Sequence, residues 1–285
     1  MVKVFQALSE GTSILKKAGS SSPRLDAEII LSFVLDWERL KVMTESETVL
    51  SEAEYESFLK WIGNRSKGMP IAYITGHKEF MGLDFVVKNG VLIPRGDTEI
   101  IVENVIRECE NIDGQISVVD VGCGSGAIGI SIAHYVKGAF VTMIDISGIA
   151  FEISNHNAEL NNVKKRVKVI KGNLLEPVLG ERFDFVVSNP PYIETDVIES
   201  LQKDVRDFEP HTALDGGIDG LKYYREITKL ASACVKEGGM LIYEIGFGQG
   251  KAVSGIMDEG GFSDIRVIKD LAGLDRCVIG KRCAD

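Results

Sequence analysis

From Asp97 onward the chain alternates short, β-branched apolar runs with helix-length stretches, and that alternation leaves few architectures open. Strands are predicted at "ISVVDVG", "FVTMIDI", "RVKVIKG", "FDFVVSN", "MLIYEIG", "DIRVIKD" and "RCVIGK", with helices between most of them. Strands this apolar must be covered on both faces, as in a mostly parallel sheet built from strand–helix–strand units. The last two runs lie too close together for a helical crossover, so one of them is expected to be antiparallel, at the sheet edge. The expected fold is α/β, with a Rossmann-like seven-stranded sheet over residues 97–285.

The chain ahead of that region reads as helices. "VFQALSEGTSILKKAG" is apolar at Phe5, Leu8, Ile14 and Leu15 and stops at Gly19. "SPRLDAEIILSFVL" begins with Ser22 as N-cap and Pro23 at the first helical position. "SEAEYESFLKWIGNR" opens with Ser51 and Glu54 at capping-box spacing. The helical pattern ends near Lys67, and a small N-terminal helical domain is assigned to residues 1–75. "KEFMGLDFVVKNGVLIPR" then alternates and contains Asn89-Gly90, a hairpin signal, so residues 76–96 are expected to be a β-hairpin linking the two domains.

Composition removes several classes. The net charge of −10 argues against a general nucleic-acid binder. Cys109, Cys123, Cys234, Cys277 and Cys283 form no CxxC pair, which suits reduced thiols in a cytoplasmic protein. His77, His134, His156 and His211 have no metal-ligand spacing, so no metal is expected. No signal peptide or membrane-spanning run is apparent.

"VVDVGCGSGAIGISIA" is a buried strand, a glycine-rich turn and a helix. Gly122, Gly124 and Gly126 allow a tight turn and close approach of a ligand to the backbone. Asp145 ends the next strand, at the spacing where an acid grips ribose hydroxyls. Together these point to an adenosine-containing cofactor without choosing between NAD and S-adenosylmethionine. Asp120, two residues before the glycines, favours the latter, because it would attract an ammonium and repel a pyrophosphate.

"VVSNPPYI" ends the fourth strand of the sheet, beside the first strand's loop, so Asn189 should face the reactive end of the cofactor. Two prolines stop the strand and restrict Asn189 and Pro190 to extended conformations. The Asn189 side-chain carbonyl and the Pro190 backbone carbonyl are two acceptors for the N–H groups of a planar NH₂, and Tyr192 can pack flat on it. Such bonds strengthen as the nitrogen gains positive charge during methyl transfer. The segment reads as a clamp for a planar NH₂ group. A turn that merely ends a strand is the alternative, and it loses ground once the glycine loop lies upstream at the right strand separation.

With these motifs, and with "YITGHKEFMGLDF", "IPRGDTE", "EPHTALDGGIDGLKYYREI" and "DLAGLDR", nearly the whole chain resembles the protein-(glutamine-N5) methyltransferases that act on peptide chain release factors. The resemblance implies a class I S-adenosylmethionine-dependent methyltransferase fold with a helical N-terminal domain that docks the protein substrate. It implies S-adenosylmethionine as donor, S-adenosylhomocysteine as product, and the glutamine of a GGQ loop as acceptor, in translation termination. Carried over by motif, Gly122, Cys123, Gly124, Ser125 and Gly126 would contact the donor's methionine part, Asp145 the ribose, and Asn173 and Leu174 the adenine. Asn189, Pro190, Pro191 and Tyr192 would clamp the glutamine amide. A cytoplasmic monomer without direct nucleic-acid or membrane contact is expected.

Two positions depart from the pattern. Asn173 stands where Asp is usual but still offers a carbonyl to an adenine amino group. Gly96-Asp97 replaces Pro-Glu. Arg95 and Glu99 are candidates to pair and shape the cofactor mouth, the alternative, compatible with it, being an ordinary helix start with Asp97 as N-cap; Glu244 is open to either an active-site or a structural role. A DNA amino-methyltransferase would need a basic DNA face, a dehydrogenase would leave NPPY unexplained, and a ribosomal-protein glutamine methyltransferase would use the same clamp.

Overall fold

The computed structural model describes residues 1–110 and 112–283. The chain divides into two compact units, residues 1–77 with 202–208 and residues 78–201 with 209–285.

The first unit is helical, with α1 (Val4–Lys17), α2 (Pro23–Leu35), α3 (Arg39–Thr44), α4 (Glu52–Ser66) and α5 (Ile71–Thr75). Its core gathers Leu8, Leu15, Ile30, Leu31, Phe58 and Ile62, the apolar faces of α1, α2 and α4. The Ser51–Glu54 capping box forms, with the Ser51 side chain accepting from the Glu54 N–H and the Glu54 carboxylate from the Ser51 N–H. Ser22 is the N-cap of α2 and Pro23 its first residue.

The second unit opens with a hairpin, β1 (His77–Phe80) and β2 (Leu83–Val86). Its turn is Met81-Gly82, not Asn89-Gly90 as the dipeptide signal suggested. Met81 and Gly82 have φ of 51° and 70°, the two positive values of a hairpin turn whose twist matches its strands. Tertiary contacts hold Met81 there, because its N–H donates to Glu99 Oε1 at 2.9 Å and its carbonyl accepts from the Tyr135 hydroxyl at 2.5 Å. Asn89-Gly90 does turn, with a Val91 N–H to Lys88 carbonyl bond of 3.2 Å, but among the described residues no strands pair across it.

After α6 (Glu99–Cys109) comes the main sheet: β3 (Ile116–Val121), β4 (Ala139–Asp145), β5 (Val167–Lys171), β6 (Phe183–Ser188), β7 (Val235–Glu244), β8 (Phe262–Lys269) and β9 (Asp275–Arg282). The interleaved helices are α7 (Ala127–Tyr135), α8 (Gly148–Leu160), α10 (Lys222–Cys234) and α11 (Gly250–Glu259); α9 (Lys203–Phe208) belongs to the helical unit. The sheet order is β5-β4-β3-β6-β7-β9-β8, and β3 to β7 are all parallel. The antiparallel strand is β9, and it lies inside the sheet rather than at its edge. The crossover through α11 skips one position, and the short return from β8 lets β9 fill the gap. Among the described residues no helix is long and apolar enough to cross a membrane.

Period-two alternation sorts the strands' side chains between two buried layers. Val118, Phe185, Val187 and Ile242 pack with Ile101, Val102 and Ile130 of α6 and α7. Val119, Val121, Val186, Leu241 and Tyr243 pack with Tyr224, Ile227 and Val253 of α10 and α11. Asn157 of α8 joins the hairpin to the β3–α7 loop. Its Oδ1 accepts from the Val86 N–H at 2.8 Å, and its Nδ2 donates to the Val86 and Ser125 carbonyls at 3.0 and 2.9 Å. Asn157 is fully buried, so Asn157→Leu strands three backbone groups away from water. Urea unfolding of this variant should show a loss on the order of 3–5 kcal/mol, far above the cost of a surface change.

Candidate functional site

Parallel pairing of β3 with β6 sets Val121 opposite Ser188, and the Ser188 hydroxyl donates to the Val121 carbonyl at 2.7 Å. The two strands therefore end together, and the loops leaving them meet at the carboxyl edge of the sheet, where open α/β sheets bind ligands. A cavity of about 270 Å³ opens there. From the predicted set, Gly122, Gly124, Asp145, Asn173, Leu174, Asn189, Pro190 and Pro191 line it. Cys123, Ser125 and Gly126 are buried in the loop and do not line it, nor does Tyr192.

The glycine loop follows from its backbone. Gly122, Gly124 and Gly126 have φ of 71°, 55° and 83°, values that L side chains rarely adopt. A Cβ at Gly122 or Gly124 would meet nothing within 4 Å, so these two glycines leave an open cradle. Asp145 anchors it. Its Oδ2 accepts from the Gly124 N–H at 2.9 Å and its Oδ1 from the Ser147 N–H at 2.8 Å, while burial raises its pKa. Both oxygens keep lone pairs for further donors. Leu174 has φ of 46°, a strained conformation for a branched side chain, as segments that close on ligands often show. Asn173 donates its Nδ2 to Glu176 Oε1 at 2.8 Å, which leaves its carbonyl oxygen as the end available for a donor.

Asp120 does not reach the cavity. Alternation along β3 turns it beneath α7, where Oδ2 accepts from the Gly129 N–H at 2.9 Å, and the residue is fully buried. Among the described residues Oδ1 has no partner, and burial pushes the carboxyl up to about 7.

The Asn-Pro-Pro-Tyr segment is held from several sides. Asn189 donates its Nδ2 to Thr98 Oγ1 at 3.2 Å. Among the described residues nothing donates to Asn189 Oδ1 or to the Pro190 carbonyl. The Tyr192 hydroxyl donates to Glu244 Oε1 at 3.4 Å, so its phenol faces the last residue of β7 rather than the cavity. Glu244 is buried and also accepts from Thr98; burial pushes it up to about 7, while the Arg276 guanidinium opposes this and Asp97 adds to it. Gln249 Nε2 donates to the Tyr192 and Gly220 carbonyls, tying the segment to the Asp215–Leu221 loop. Gly216 is required at that junction, since a Cβ there would lie 2.8 Å from the Pro191 carbonyl oxygen.

Two expected local contacts are replaced. Arg95 pairs with the buried Glu209, not Glu99, which is taken by the hairpin turn. Asp97 does not cap α6; a 3₁₀ turn over Gly96–Thr98 intervenes, Thr98 takes the cap position, and Asp97 lies 3.2 Å from Arg276. Sequence reasoning missed the cavity wall formed by Gly90, Val91 and Leu92, while the "EPHTAL" loop, expected near the site, lines it with Pro210, Thr212 and Ala213. The Asn-Gly dipeptide was the visible signal for the first wall, but a local turn pattern does not say that its loop folds back over the sheet edge. Among the described residues no cluster of three or more His, Cys, Asp or Glu side chains could hold a metal.

Two family models match the chain, the PrmC N-terminal domain over residues 6–76 and the methyltransferase small domain over residues 97–204. A release factor glutamine methyltransferase of Clostridium acetobutylicum is 45% identical, over 99% of this chain and 99% of its own. One from Clostridium botulinum is 44% identical, over 96% and 98%. Among solved structures, the T. thermophilus 16S rRNA N2 G1207 methyltransferase, in complex with AdoMet and guanosine, superposes with a TM-score of 0.52 at 16% identity. That match covers 72% of this chain and 49% of the other, and it shows a shared fold.

The buried Asp120 carries a stability consequence. Burial holds its folded pKa at about 7, above the ordinary aspartate value of 3.8, so the folded state holds the proton longer and stability falls as pH rises between those values. Asp120→Asn, which cannot ionise, should gain on the ligand-free wild type by on the order of 2 kcal/mol between pH 5 and pH 8. Thermal melts of both proteins at the two pH values check this, and an equal difference at both would refute it.

Proposed function

The chain belongs to the release factor glutamine methyltransferases, and from that membership we propose that it moves a methyl group from S-adenosylmethionine to the side-chain amide nitrogen of the GGQ-loop glutamine of a peptide chain release factor. The observation that carries this reading is Asn189, which lines the cavity next to the glycine loop with its NH₂ end engaged and its carbonyl end open.

The donor's fit is supported by the open cradle at Gly122 and Gly124 and by Asp145 on the cavity wall. In this reading the loop's backbone takes the donor's methionine part, Asp145 accepts from the ribose hydroxyls, and the Asn173 carbonyl accepts from the adenine amino group beside Leu174. S-adenosylmethionine supplies an electrophilic methyl on a sulfonium, which leaves as neutral S-adenosylhomocysteine. The T. thermophilus enzyme of the same fold was solved with AdoMet bound.

On the acceptor side, an amide nitrogen is a weak nucleophile because its lone pair is delocalised. Asn189 Oδ1 and the Pro190 carbonyl can each accept one of its two N–H groups and aim the nitrogen at the methyl. As the N–C bond forms and the S–C bond breaks, with its electron pair passing to sulfur, the nitrogen gains positive charge. Its protons become stronger donors, and both hydrogen bonds tighten in the transition state. The methylated amide then releases one proton to water, so no general base is needed beforehand. Tyr192 acts in this account by holding the segment through Glu244, not by stacking on the acceptor.

Methyl transfer from labelled S-adenosylmethionine should mark an intact release factor and neither the same factor with its GGQ glutamine changed to alanine nor unmethylated duplex DNA. Label on DNA would overturn the protein-substrate reading. Asn189→Ala should lower kcat by ~100-fold or more, as expected when one preorganised hydrogen-bonding group is removed. Calorimetry should find its affinity for S-adenosylmethionine at the wild-type value. Near-full activity in that variant would refute the clamp.

A further inference from the structure

We propose that Thr98 and Glu244 are positioning residues that decide which end of the Asn189 amide faces the acceptor. The inference rests on the glutamine-methylation reading and deepens it.

An amide's oxygen and NH₂ are nearly the same size, so packing alone does not choose between its two orientations. The clamp works in only one of them, because an NH₂ turned toward the acceptor's NH₂ sets donor against donor. The choice is made by a chain of hydrogen bonds with a fixed polarity. It starts at Glu244, whose ionised carboxylate can only accept. The Thr98 hydroxyl has one proton, and in the proposed chain it goes to the neighbouring Glu244 carboxylate, which interaction with Thr98 helps to keep ionised. Thr98 Oγ1 is then left with lone pairs alone, and it lies 3.2 Å from Asn189 Nδ2. Only the NH₂ end of Asn189 satisfies it, so Oδ1 turns to the cavity. The Tyr192 hydroxyl donates to Glu244 Oε1, which makes the carboxylate the common acceptor of both branches.

The fold brings these groups together by alternation. Asn189 continues the face of Phe185 and Val187 on β6, and Glu244 continues the face of Ile242 on β7. Both therefore point to the α6 side, where Thr98 stands at the helix's first cap position. Thr98 is 4% exposed and Glu244 2%, so water does not compete for these bonds. Arg276 of β9 lies close enough to favour the ionised carboxylate.

Thr98→Val keeps the shape of the side chain and removes the hydroxyl; Thr98→Ser restores it. Assayed at pH 8 with release factor, Thr98→Val should lose kcat on the order of 10- to 100-fold with a smaller change in KM. Its affinity for S-adenosylmethionine should be unchanged, and Thr98→Ser should recover most of the lost rate. In ¹⁵N-labelled protein the Asn189 side-chain amide protons should exchange slowly with solvent in the wild type and in Thr98→Ser, and quickly in Thr98→Val. Wild-type kcat in Thr98→Val, no rescue by serine, or unchanged amide protection would each overturn the proposal. A wild type that labels no release factor strikes the glutamine reading instead, and the exchange measurement still decides the polarity chain by itself.

Discussion

Everything at the site depends on one strand pairing. β3 and β6 are 67 residues apart at the Ser188–Val121 hydrogen bond, yet they lie side by side and end in register. Had β6 slipped by one residue along β3, Asn189 would point to the other face of the sheet, away from Thr98 and α6. The buried apolar faces of β6 make that slip costly, since Phe185 and Val187 would exchange layers with Val186. The hydrophobic pattern of a six-residue strand therefore aims the side chain just beyond it.

The same edge of the sheet concentrates buried, incompletely paired carboxylates. Asp120 and Glu244 each have one oxygen without a partner among the described residues, and burial pushes each up to about 7. Such groups lower stability relative to an apolar filling of the same space. Asp120 holds the start of α7 under the glycine loop through the Gly129 N–H, and Glu244 collects the hydroxyls of Thr98 and Tyr192. In both places a buried carboxyl accepts from donors above it, and the stability given up is concentrated where the loops must be held.

Much of this was legible in the chain because it depends on neighbours in sequence. The alternation of strands and helices, the capping box at Ser51 and Glu54, and the glycines at 122, 124 and 126 are local patterns with local causes. The errors also share a cause. Asn89-Gly90 has the dipeptide of a hairpin turn, but Glu99 and Tyr135 stabilise the left-handed Met81 instead, and neither is near it in sequence. Arg95 and Glu99 are four residues apart and ready to pair, but Glu209 and the hairpin turn take them separately. The antiparallel β9 was expected at the edge because its short connection was visible, whereas the gap left by the α11 crossover was not.

By itself the sequence determined the fold class, the glycine cradle, and the conjunction of that cradle with an Asn-Pro-Pro-Tyr strand end, because periodicity and backbone restriction act over a few residues. Only the tertiary structure decided which of those residues face the cavity and in what orientation. It turned Asp120 away beneath α7, set Tyr192 against Glu244, and joined Thr98 to Asn189 across 91 residues. A hydrogen bond's partner depends on which strands lie side by side, and that is settled by burial of the whole sheet rather than by any short stretch of chain.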